Sequence, residues 1–240
     1  AVIWIQTAIT FVAFVILFMA PGNEMRVASE IATWMPGYKE LSVGNHLFMT
    51  IQWMLSSFAN EGKAFFIAIW AAGFLLLMKS KKAKVYQILA VVFSVVALLP
   101  YAGISFFSEM GIGYIDIEQR LTELPTWQTM TIQNRIAFFW WIAAVLFTLV
   151  LLWKVTGHSV FISMVFLGGI ASEAVLYFSP TIYASGARVY YLTDLMYLFI
   201  ILWMVMRMDS EKKKNLFIAG VAALGVINFL SQYSIMLLKL

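Results

Sequence analysis

Apolar residues run along this chain in long blocks broken by short polar punctuation. Seven blocks read as membrane-crossing helices: 2–20, 63–79, 85–107, 136–156, 158–178, 189–208 and 216–238. At 1.5 Å of rise per residue they match a hydrocarbon layer of roughly 30 Å. Block 63–79 is minimal and leans on Lys63 and Lys79 reaching outward along their stems. An eighth apolar stretch, 46–59 within "GNHLFMTIQWMLSSFAN", would rise only about 21 Å as a helix. It reads as a re-entrant or surface-lying segment; were it to cross, everything before it would change sides. The pattern therefore predicts an all-α, polytopic transmembrane helical bundle of about seven spans plus one re-entrant or interfacial helix. All of it forms a single integral membrane domain, 1–240.

Composition strengthens this reading. The chain is 62% hydrophobic and 12% charged, with a mean hydropathy of +0.88. A soluble domain of this length could not bury so much apolar surface. There is no cysteine and there are only two histidines, His46 and His158, which excludes disulfides, thiolate chemistry and a histidine-rich metal cluster. The net charge of +4 does not point to nucleic acid as a partner: the basic residues fall in short clusters between blocks, and topology explains them better. The first residue, Ala1, stands inside an apolar run with no signal-peptide pattern. The expectation is a later part of a longer protein, or a processed N-terminus.

Lys and Arg set the orientation. "KSKKAK" (79–84), Lys154 and "RMDSEKKK" (207–214) alternate as cytoplasmic loops and hold nine of the sixteen basic residues against two acids. The opposite side carries six basic residues against ten acids. The N-terminus is then inside and the C-terminus outside. The outer loops are 21–62, 108–135 and 179–188, the first two long enough to carry function or small helices, such as 24–34 and 114–124.

Two stretches could carry chemistry. Pro21-Gly22-Asn23 stops the first block, and Glu24 and Arg26 follow within a turn. One reading is a plain helix stop. The other is an anion site, because a guanidinium beside freed backbone N–H groups suits phosphate. The second stretch, "SEAVLYFSPTIYASGARVYYLTD" (172–194), sets Glu173 six residues before Ser179 and Asp194 six after Arg188. On antiparallel helices both acids would lie roughly 9 Å below the outer surface. Either they pair with Arg188 or nearby tyrosines to hold helices together, or they line an outward pocket. There Arg188 would meet an anionic group, and Glu173 or Asp194 would place a hydroxyl or act as base. His46 reads as a surface residue. "GGIASE" (168–173) reads as a stripe of small residues for close helix packing.

"APGNEMR" (20–26) closing a span, followed by "SPTIYASGAR" (179–188) between two spans, resembles an uncharacterised group of bacterial polytopic proteins. That group is similar to the GT-C superfamily of membrane glycosyltransferases. The resemblance implies transfer of a sugar from a polyprenyl-phosphate donor at the outer face of the bacterial cytoplasmic membrane, for cell-envelope polysaccharide or teichoic-acid decoration. The lipid-linked sugar is itself the donor substrate, so no cofactor is expected, and no metal-ligating residues are singled out. Arg26 and Arg188, with Asn23 and Tyr183, would hold the lipid phosphate; Glu24, Glu173 and Asp194 are the candidate catalytic carboxylates. The acid pair that GT-C enzymes carry in their first outer loop is absent. That departure points to a missing N-terminal half, a substitute acid such as Glu24, or a protein that is not an enzyme. Membrane lipids and either a membrane-protein partner or the missing N-terminal half complete the expected company. The rival readings are a transporter or flippase for a lipid-linked or anionic substrate and a non-catalytic scaffold subunit.

Overall fold

The computed structural model describes residues 12, 23–35, 37–99, 127, 132–175 and 190–237. Among them are eight α-helices: α1 (Asn23–Trp34), α2 (Val43–Asn60), α3 (Lys63–Leu77), α4 (Lys84–Leu98), α5 (Ile132–Val155), α6 (Val160–Ala174), α7 (Tyr191–Met206) and α8 (Glu211–Leu237).

Local sequence explains the breaks. Gly37 turns the chain after α1 with φ of 87°, a left-handed conformation that glycine adopts without a Cβ clash. Ser42 then caps α2, its hydroxyl accepting from Asn45 N at 3.2 Å. The α2–α3 junction is one tight turn: Glu61 N and Gly62 N both donate to Ser57 O, at 2.8 and 2.9 Å. After α5, Gly157 and His158 are both left-handed, and His158 N donates to Trp153 O at 2.9 Å, closing the helix.

The core is built on aromatic rings. Phe66 of α3 lies 5.5 Å from Trp141 of α5, 6.2 Å from Phe166 of α6 and 5.6 Å from Tyr197 of α7, centre to centre. One turn on, Trp70 Nε1 donates to Thr148 Oγ1 at 2.8 Å, so the buried indole is satisfied. Two glycines allow the closest approaches. A Cβ on Gly73 would sit 2.7 Å from Leu151, and one on Gly169 would sit 2.9 Å from the Tyr197 ring. The latter falls within the small-residue stripe at 168–173.

These contacts fix direction. Phe66 meets Trp141 and Tyr197, and further along Gly73 meets Leu151, so α3, α5 and α7 run parallel, with α6 antiparallel between α5 and α7. The two basic loops therefore share one end. There Asp209 binds Lys79 at 2.6 Å and Lys213 at 3.0 Å, and Lys213 also donates to Leu75 O. Glu61, Glu173 and Asp194 lie at the other end.

The expectation of about seven spans is not met. Among the described residues one helix, Arg135–Val155 of α5, is long and apolar enough to cross a membrane; the number becomes two if α2 and α3, bent by 67° at Glu61-Gly62, count as one broken span. The reason is helix length. Block 63–79 outruns its helix: α3 has 15 residues and gives way to a turn at Met78 and Lys79, and α7 has 16 and ends in a turn at Arg207, about 22–24 Å each. Blocks 85–107 and 158–178 run past the described residues, which hold the 15-residue helices α4 and α6. α8 has 27 residues, of which the side chains at 228 and 231–237 lie outside the described set. Block 2–20 and helix 114–124 lie outside the described residues. Stretch 46–59 belongs to the 18-residue α2, whose residues 52–59 are buried against α3, α5 and α6 rather than laid on a surface; with α3 it forms the bent pair, a broken span or a re-entrant loop.

Candidate functional site

Helical phase decides which acids enter the protein. In α6 the buried positions Ile162, Phe166, Gly169 and Glu173 recur at helical spacing, so Glu173 continues the core stripe, and it is only 1% exposed. In α7 the stripe is Thr193, Tyr197, Ile200 and Met204. Asp194 stands one position off it and is half-buried.

Glu173 reaches α2. Ser57 Oγ lies 2.7 Å from Glu173 Oε2 and 2.8 Å from Met54 O. Ser57 has one hydrogen, and the carbonyl can only accept. With that hydrogen donated to Glu173, Met54 O goes unserved by it. Both contacts are hydrogen bonds at once when Glu173 carries a proton and donates to Ser57.

Beside this pair, the glycine at 169 brings α6 and α7 close enough for a hydroxyl network. Ser172 Oγ donates to Gly169 O at 2.7 Å, Thr193 Oγ1 donates to the same carbonyl at 3.0 Å, and the two hydroxyls are 3.0 Å apart. Tyr197 OH is buried with no hydrogen-bond partner among the described residues, and so is Gln52 Oε1. Both Glu173 and Asp194 lie within electrostatic reach of the Tyr197 phenol, and Glu61 within reach of Asp194. Trp53 and Tyr190 close the niche nearby, their rings 5.2 Å apart.

The structure thus brings together Glu173 and Asp194, two of the sequence-derived candidates. Asn23, Glu24 and Arg26 fall in the first turn of α1, with their side chains outside the described set; Tyr183 and Arg188 lie outside it entirely. Ser57, Ser172, Thr193 and Tyr197 were not singled out by sequence. Ser56-Ser57 is a visible signal, a polar pair inside an apolar helix, yet its partner lies 116 residues away. His46 is part-buried and bonds Tyr38 O at 3.0 Å through Nε2. Among the described residues no group of three or more His, Cys, Asp or Glu side chains could hold a metal ion.

The arrangement is a buried polar cluster in which Ser57, Ser172 and Thr193 donate within the protein, and the Tyr197 OH is the donor left over. Comparison with protein-family models, curated proteins and solved structures finds no match to this chain.

Proposed function

We propose that the chain is a multi-pass protein of the bacterial cytoplasmic membrane that handles a lipid-linked sugar at its carboxylate end, as a GT-C-like glycosyltransferase. The membrane part is supported by α5 and by the large apolar side chains turned outward on α4 to α8, among them Val95, Phe139, Phe161, Leu202 and Phe229. The sugar part rests on one observation: the niche formed by Glu173, Ser57, Thr193 and the unpartnered Tyr197 OH, with the half-buried Asp194 at its edge. A sugar is a cluster of hydroxyls, and such a niche complements it. In this reading Asp194 is the base that accepts the acceptor hydroxyl's proton, and Glu173 positions. Arg26 and Arg188, with Asn23 and Tyr183, hold the polyprenyl phosphate, and Glu24 is the remaining candidate acid.

The test is sugar transfer in membranes from a polyprenyl-phosphate-linked donor. Asp194→Asn should lower the rate by roughly 10²-fold or more, the usual contribution of a general base. Transfer unaffected by Asp194→Asn, or obtained only from a soluble nucleotide sugar, sinks the proposal.

One observation favours a second reading, a non-catalytic membrane subunit. Glu173 is 1% exposed and already bonded to Ser57, as a structural clamp between α6 and α2 would be. Loss of a co-purifying membrane partner in Glu173→Ala, with Asp194→Asn silent, would select it.

A further inference from the structure

α3, α4 and α8 do not close upon one another. Between them is a cleft of about 490 Å³, walled by residues such as Trp70, Phe74, Val91, Val95, Phe217 and Gly220. Its side-chain lining is apolar apart from Ser94. Along α8 the wall runs from Leu216 to Ile227, roughly 16 Å of helix.

The ends of the cleft differ. Helical spacing carries both walls toward the basic end of the bundle. On α4, Lys84 precedes Val91 by seven residues and shares its face with Val95 and Leu98. On α8, Lys212 precedes Leu216, Gly220, Ala223 and Ile227 at spacings that put all five on one face. Lys213 and Lys214 are engaged by Asp209 and Glu211. Lys84 and Lys212 are exposed, each on a wall-forming helix, one to two turns before its first lining residue. A hydrocarbon slot with a positive charge on both rims matches one kind of molecule.

We infer that this cleft holds an acyl chain of an anionic phospholipid, whose phosphate headgroup sits between Lys84 and Lys212. The apolar walls favour the chain through burial of hydrocarbon, and the two lysines select the headgroup by charge. The inference rests on the membrane reading above and is independent of sugar transfer. The site is also distinct from the carboxylate niche, which lies at the other end of the bundle.

The chain has no cysteine, so single labels can be placed at will. A Cβ on Gly220 meets nothing within 4 Å, and the same holds at Gly225, which is not part of the wall. We would purify full-length Gly220→Cys and Gly225→Cys in detergent, attach a small fluorophore, and titrate with phosphatidylglycerol or phosphatidylcholine carrying brominated acyl chains. The label at 220 should be quenched at a lower mole fraction of phosphatidylglycerol, by roughly fivefold for each lysine. Lys84→Gln with Lys212→Gln should bring the two lipids together, and Ala223→Trp, which fills the cleft and leaves the charges, should abolish quenching at 220. The label at 225 should respond alike to both lipids.

Equal quenching at 220 by both lipids overturns the inference. So does no quenching at all, which would mean a segment of this chain or a partner helix fills the cleft. A chain that stays in aqueous solution without detergent defeats the membrane reading itself, an outcome separate from either of these.

Discussion

At the scale of single residues, the proton count around Ser57 makes the clearest demand. Glu173→Gln keeps a donor in the place of a protonated carboxyl and can serve Ser57 while Ser57 serves Met54 O. Glu173→Ala removes it and leaves buried hydroxyls short of a partner, which costs about 1–3 kcal/mol. Thermal unfolding in detergent should therefore find Glu173→Gln close to wild type and Glu173→Ala clearly lower; equal losses would contradict the proton count. Glycine offers a second comparison. Gly169→Ala places a methyl 2.9 Å from a fully packed tyrosine ring and should cost about 1–3 kcal/mol. Gly220→Ala meets open space and should be nearly neutral. The same unfolding assay distinguishes them.

At the scale of elements, the basic loops are joined by Asp209. Hydrogen bonds from Lys79 and Lys213 hold its carboxyl well below the usual carboxylate range. A depressed folded value stabilises the protein above the unfolded value near 4, and that contribution disappears as pH falls through the lower, folded value. Lys79 and Asp209 are both well exposed, so the effect is small and screened by salt. The expected result is a modest gap in Tm between wild type and Asp209→Asn at neutral pH. It should narrow as the medium is acidified below about pH 4 and shrink in high salt at any pH. A gap that widens in acid would mean that another group links these loops.

Across the described residues of α3 to α8, charge is sorted to two ends while the sides are apolar. Val91 and Val95 on α4, Leu146 and Val150 on α5, and Leu195 and Leu198 on α7 all face outward. In water such a surface would drive aggregation; in lipid it is matched. The chain should remain in the membrane pellet after alkaline carbonate washing and need detergent for release. Release by carbonate alone would make these faces protein interfaces instead.

Several of these features were legible in the sequence. The helical class followed from the apolar blocks, and the pairing of the two basic loops at one end followed from their alternation along the chain. The acids at 173 and 194 stood out because charge is costly within apolar runs. The span count was not legible, because hydropathy records which residues are apolar and is blind to where a helix bends or ends. The Glu61-Gly62 bend, with two amides sharing the Ser57 carbonyl, turns what reads as a short segment and a minimal span into one angled unit.

What the sequence determined by itself was composition, periodicity and the location of charge, all properties of neighbouring residues. Only tertiary structure decided that Glu173 meets Ser57 rather than solvent, that Tyr197 OH is buried without a partner among the described residues, and that α3, α4 and α8 leave a cleft between them. Each of these depends on residues tens to more than a hundred positions apart, brought together by ring packing around Phe66, which no local pattern encodes, and by the close approach at Gly169, whose small-residue stripe was legible but whose partner Tyr197 was not.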